Sequence, residues 1–198
     1  EMGAKAGIVD PAGLTLPYDF TPVLPAEDAH YIKTFEFDVS NLEPQVSVPG
    51  SPDQVRDIKQ FVGTKIDYAF IGTCTNGRLE DLRTAADILR GRQLAEGVRL
   101  VIAPASRSVL LDAVTDGSLE ALVRAGASII NPGCGPCVGT HQGVPGNDEV
   151  VISAANRNFT GRMGNPKAQI YLGSPATVAA AALSGEIIHP RMVGYGSK

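Results

Sequence analysis

The sequence predicts an α/β fold, a three-layer α/β/α arrangement around a mainly parallel sheet. Two observations carry this. From Asp67 onward, short apolar runs alternate with amphipathic stretches of helical period. The short runs are also apolar at successive positions rather than at every second one, as in strands covered on both faces. Ligands on such sheets gather at the carboxyl ends of the strands, so the turns that follow the apolar runs are where function is expected.

Taken in order, residues 1–50 are punctuated by proline. Ile8-Val9-Asp10-Pro11 reads as a strand end, and Pro17, Pro22 and Pro25 preclude a long helix. Lys33 to Val39 (KTFEFDV) alternates and is expected to form a strand, whereas Leu42 to Pro52 reads as a linker between domains. The expected division is therefore 1–50, the tail of one domain plus a link, and 51–198, a second domain. Asp67 to Ile71 is the first strand of the regular region. Arg78 to Arg90 spaces Leu79, Leu82, Ala86 and Leu89 by three and four, a helix ended by Gly91. Val98 to Ala103 is a strand. Ser106 to Val114 and Leu119 to Ala125 are helices stopped near Gly117 and Gly126. Ser128 to Ile130, Glu149 to Ser153 and Gln169 to Leu172 are further strands. Ser174-Pro175 then opens a helix with a capping hydroxyl and a proline in its first turn, running to Gly185.

Composition narrows the function classes. With 17 basic against 21 acidic residues in 198, the chain lacks the basic footprint of a nucleic-acid binder. No apolar run approaches the ~20 residues that a membrane-spanning helix needs. No signal-peptide pattern is read, and three clustered thiols do not make a disulfide scaffold, so a reducing cytoplasm is the expected compartment. The abrupt opening at Glu1-Met2-Gly3 suggests a piece of a longer protein.

The three cysteines fall in two turns, Gly72-Thr73-Cys74-Thr75-Asn76 and Asn131-Pro132-Gly133-Cys134-Gly135-Pro136-Cys137. Three thiolates suit a cluster that leaves one iron without a protein ligand, free to act as a Lewis acid. Other readings stand beside it. A structural zinc site needs a fourth ligand, which only His141 is placed to supply. A lone C-x-x-C is also a redox pair, and Cys74 an ordinary buried thiol. The placement of Cys74, Cys134 and Asn156-Arg157 after three separate strands favours the open cluster, because a dithiol pair has no need of Cys74. Thr75 and Asn76 are expected to cap the following helix. Arg157 and Arg162, five apart in a glycine-containing turn, suit bidentate binding of a carboxylate. Asn156 is placed to hold a cluster sulfide or a substrate oxygen. His141 reads as structural, His30 and His189 as surface residues.

Together Gly72 to Leu82 (GTCTNGRLEDL), Asn131-Pro132-Gly133-Cys134-x-x-Cys137 and Asn156-Arg157-Asn158-Phe159-x-Gly161-Arg162 resemble the signature segments of the aconitase superfamily, in order and in spacing. Leu42 to Val46 (LEPQV) and Cys137 to Gly143 (CVGTHQG) are most similar to the branch containing the large subunits of 3-isopropylmalate dehydratase and homoaconitase. One departure is Pro49-Gly50-Ser51-Pro52, where that branch often has a histidine after the proline. The resemblance covers nearly the whole chain. It implies the C-terminal half of a large subunit, with 51–198 as an aconitase-type iron–sulfur domain. It further implies a [4Fe-4S] cluster held by Cys74, Cys134 and Cys137 with one iron not ligated by protein. Asn156, Arg157 and Arg162 match substrate-site positions, and Glu1 matches an active-site glutamate. The implied reaction isomerises a hydroxy polycarboxylate by dehydration and rehydration, as in leucine biosynthesis. Its partners are the rest of the large subunit, with catalytic His and Asp residues, and a small subunit that supplies a serine base. A non-catalytic iron–sulfur or redox-sensing module is the alternative from another class.

Overall fold

Tyr68–Gly72 (β3, YAFIG) is apolar along its whole length, and every residue of it is buried. Such a strand is stable only at the centre of a sheet covered on both faces, and that is its position in this computed structural model, which describes residues 7–10, 13, 15 and 18–196. The described chain divides into two units, 1–42 and 43–198.

In the first unit no described residue belongs to a strand or helix. Lys33–Val39 is not the expected strand: its alternation sets the Phe35 and Phe37 rings in a stack 6.2 Å apart, with the Lys33 ammonium over Phe35, but a strand also needs a paired neighbour. Ile8–Asp10 is likewise outside any strand. Pro11, Pro17 and Glu1 lie outside the described residues.

The second unit is built on a seven-stranded sheet in the order β2-β1-β7-β6-β3-β4-β5. Its members are β1 (Gln45–Ser47), β2 (Val55–Asp57), β3, β4 (Arg99–Ala103), β5 (Ser128–Ile129), β6 (Val150–Ser153) and β7 (Gln169–Leu172). The last five pair in parallel, with Phe70 opposite both Val101 and Ser153. The stretch read as a linker departs from expectation. Its Gln45–Ser47 pairs antiparallel with Val55–Asp57 and, through Ser47, with Leu172. Three-residue strands joined by a proline-containing turn offer too little periodicity to be recognised.

Five α-helices accompany the sheet: the single turn α1 (Thr73–Asn76), then α2 (Leu79–Leu89), α3 (Arg107–Thr115), α4 (Ser118–Ala125) and α5 (Pro175–Ser184). Their ends follow local chemistry. The Ser106 hydroxyl accepts from Val109 N, and the Ser174 hydroxyl from Thr177 N, both at 3.2 Å. At the start of α2, the Arg78 N–H donates to Asp81 Oδ2 at 3.0 Å, so neither Thr75 nor Asn76 is its cap. Leu82, Ala86 and Leu89 of α2, Leu122 of α4 and Ala179 and Ala182 of α5 pack with Ala69, Ile71, Leu100, Ile102 and Ile152 on one face of the sheet. The alternate residues Tyr68, Phe70, Val101 and Val151 form a second core on the other face. It is closed by Ile130, Cys137, Ala155 and Met163. Three layers are present, and the layer on this second face is made of loops and a short 3-10 turn (Gly135–Val138) in place of α-helices.

The two faces follow from the route of the chain. From β3 it steps outward to β4 and β5 through helices on the first face. It then returns past β3 to form β6 and β7 through the loops that close the second face. β3 and β6 are therefore the neighbours at which the direction of winding reverses. In open parallel sheets that junction opens a crevice at the carboxyl ends of the strands, where ligands bind.

Candidate active site

Parallel strands deliver their following segments to one rim. Cys74 stands in α1, directly after β3; Cys134 and Cys137 follow β5; Asn156, Arg157 and Arg162 follow β6. The β3 turn has no slack. A Cβ on Gly72 would stand 2.7 Å from the Ala103 carbonyl oxygen, and one on Gly77 would overlap both that oxygen and Thr73 O. Only glycine lets this turn lie so tightly on the end of β4. Ala105 N donates to Gly77 O at 2.7 Å, fixing the same side.

Two bonds tie the three segments together. The Asn76 amide Nδ2 donates to Ala154 O at 2.5 Å, joining the Cys74 turn to the end of β6. The Arg162 guanidinium donates to the C-x-x-C turn: Nε to Cys137 O at 2.9 Å, with Nη2 3.8 Å from Cys137 Sγ. Gly139 and Gly164 pack backbone on backbone, with no room for a side chain on Gly139, and bring the same two loops into register. Asn158 is buried, and its Nδ2 donates to Val48 O at 2.7 Å and Ile170 O at 3.0 Å, anchoring the Asn156–Arg162 segment to β7 and the end of β1.

Cys74 and Cys134 are exposed, Cys137 is buried, and none forms a disulfide. Asn156 and Arg162 are half-buried; Arg157 is exposed. His141 lies beside Gly135, between the two cysteines of the motif. His189 is not the surface residue its context suggested: its side chain is 13% exposed and its Nε2 lies 3.0 Å from Glu43 Oε2. His30 is exposed.

Among the described residues, no three His, Cys, Asp or Glu side chains converge closely enough to share a single metal ion. That differs from the closed tetrahedron of a structural zinc site. The donor set present is three thiols, two of them open to the rim, with a buried hydroxyl, Thr75 Oγ1, next to Cys74 and without a protein partner. Three thiols are the kind of donor that an iron–sulfur cluster takes. The Asn76 and Arg162 bonds were not anticipated. They join residues 78 and 25 positions apart, and no local pattern announces such a pair.

The model of the aconitase family (aconitate hydratase) matches residues 19–185. A probable methanogen homoaconitase large subunit from Methanosarcina mazei is 50% identical over 98% of this chain and 50% of its own length. A 3-isopropylmalate dehydratase large subunit from Archaeoglobus fulgidus is 51% identical over 96% of this chain and 48% of its own. A homoaconitase large subunit from Thermus thermophilus is 52% identical over 96% and 46%. The chain thus spans about half the length of the curated relatives it matches.

Proposed function

The chain belongs to the aconitase family, and on that premise we propose that it is the cluster-carrying part of a hydro-lyase that isomerises a hydroxy polycarboxylate by dehydration and rehydration. The observation that carries this reading is the single rim at which the segments after β3, β5 and β6 are bonded to one another. The names of the relatives divide between 3-isopropylmalate dehydratase and homoaconitase. Of these we propose the 3-isopropylmalate dehydratase reaction, with homoaconitase or another hydratase of the family as the alternative.

In this reading Cys74, Cys134 and Cys137 hold a [4Fe-4S] cluster. When bound, it supplies a Lewis-acidic iron without a protein ligand, which favours departure of a hydroxyl group. The chain's own residues do the rest of what is visible. Arg157 carries a planar guanidinium fork suited to carboxylate oxygens, while Arg162 turns its Nε and Nη2 toward Cys137 and keeps its Nη1 side for a substrate oxygen. Asn156, half-buried beside them, offers an amide to a substrate oxygen or a cluster sulfide. Among the described residues Arg157 is exposed and Arg162 and Asn156 are half-buried, so covering the rim with further domains would strengthen each electrostatic contact. The described rim offers no convincing proton acceptor: the one histidine near it, His141, adjoins the cysteines themselves. A base must then come from the remainder of a large subunit or from a small-subunit partner. Groups that act as a unit lose nearly all activity when one is missing.

The test is hydration of an unsaturated dicarboxylate, followed by ultraviolet absorbance. Reconstituted chain alone is expected to show no turnover, and addition of the remaining large-subunit domains and a small subunit to restore it. Turnover by the chain alone, abolished in Cys134→Ser, would contradict the proposed division of labour. Cluster binding with no turnover in the full assembly would favour a sensing module instead.

A further inference from the structure

We propose that Asn76 is a positioning residue that holds Cys74 and the Asn156–Arg157 segment in one rigid frame. This rests on the cluster reading above and gives a structural role to Asn76, which the sequence offered only as part of a signature segment and as a helix cap. A helix of four residues cannot hold itself in place, so the position of Cys74 depends on what clamps α1. On the β4 side the clamp is backbone packing, with Gly72 and Gly77 against Ala103 and the Ala105–Gly77 bond. On the β6 side it is one side chain, Asn76.

The bond it makes extends the sheet. The last register pair between β3 and β6 is Phe70 with Ser153, and Ala154 N then donates to Phe70 O at 2.8 Å. Beyond that point the main chain of β3 turns into α1. The Asn76 amide supplies the donor for Ala154 O. Ala154 lies two residues before Asn156. A shift of the Cys74 turn is thereby transmitted to the residues proposed to grip substrate. Outer residues that orient metal ligands typically change metal retention by about 10- to 100-fold when replaced.

The experiment uses the complete heteromeric enzyme with Asn76→Asp, which keeps the shape but sets a carboxylate against the Ala154 carbonyl, and Asn76→Gln, which keeps an amide donor. The readouts are the rate of cluster bleaching in air, followed by visible absorbance, and the KM for substrate, both per folded molecule. Asn76→Asp is expected to lose its cluster about tenfold faster and to raise KM, with Asn76→Gln recovering part of both. If Asn76→Asp does not fold, Asn76→Gln alone must show the same paired change to a smaller degree. Wild-type bleaching and wild-type KM in the variants would overturn the proposal. So would faster bleaching at an unchanged KM, since the coupling would then be missing. Cys74→Ser serves as the separate control. If it keeps a full cluster, the site reading fails whatever Asn76 does. If it loses the cluster while the Asn76 variants behave as wild type, this inference alone fails.

Discussion

Arg162 meets the C-x-x-C turn through two of its nitrogens, Nε bonding the Cys137 carbonyl and Nη2 lying near its sulfur. A lysine brings one flexible ammonium and cannot address both from a planar fork. In the assembled enzyme Arg162→Lys is therefore expected to lower kcat/KM about tenfold or more, the size of a lost charged hydrogen bond, and Arg157→Lys to do likewise. Unchanged kcat/KM in both variants would remove the arginines from the proposed site. Asn158 poses a different question, because the buried amide donates to the half-buried carbonyl of Val48 and the buried carbonyl of Ile170. Asn158→Ala should lower stability by about 1–3 kcal/mol, the range for stranding a buried polar group. The check is the shift in denaturant midpoint at constant slope; a shift under about 0.5 kcal/mol, as for an ordinary surface change, would show that Asn158 is not an anchor. At this scale the sequence was legible where chemistry is local. Cysteines in glycine-rich turns, arginines five apart and capping serines announce themselves. Asn76 does not, because its short polar side chain is also what a helix cap or a turn demands, and only the meeting of β3 with β6 reveals its partner.

Among the elements, the β1–β2 hairpin is held to its surroundings by Glu43, at the start of the second unit. Glu43 Oε1 pairs with Lys59 Nζ at 3.1 Å and its Oε2 with His189 Nε2 at 3.0 Å. The Lys59 hydrogen bond first, and the His189 bond second, hold the Glu43 carboxyl below the usual glutamate range. A depressed carboxylate stabilises the fold above its unfolded pKa, and that contribution is lost as pH falls through the folded one. Wild-type stability should thus fall more steeply on acidification below the ordinary glutamate range than that of Glu43→Gln, with the two converging once Glu43 is protonated. Parallel curves, measured as denaturant midpoints against pH, would show that the pair contributes nothing. The same hairpin marks the limit of reading elements from sequence. Strands β3 to β7 and helices α2 to α5 were legible because apolar runs, caps and terminal glycines occur within or beside each segment. The hairpin was not, since QVS and VRD carry too few residues for a period. The KTFEFDV stretch erred in the opposite direction: alternation sets side chains on two sides of an extended chain, but a strand exists only where a neighbour supplies the ladder.

For the whole molecule, the winding of the chain accounts for the site. Outward steps over one face and a return over the other set β3 and β6 side by side at the reversal. The segments carrying Cys74, Asn156 and Arg162 leave from that rim, and the C-x-x-C loop crosses to meet them. Parallel pairing made the common rim legible from alternating strands and helices. The order of the strands was not legible, because it depends on which apolar faces meet after collapse. The proposed cluster ligands are the three cysteines of that rim, none of them in a disulfide. The most direct measurement is therefore iron, sulfide and zinc content after anaerobic reconstitution of the chain, compared with Cys74→Ser, Cys134→Ser and Cys137→Ser. The account predicts about four irons and four sulfides per chain in the wild type, loss of most of this in each variant, and no stoichiometric zinc. A full cluster retained in Cys74→Ser, or one zinc per chain in place of iron, would contradict it.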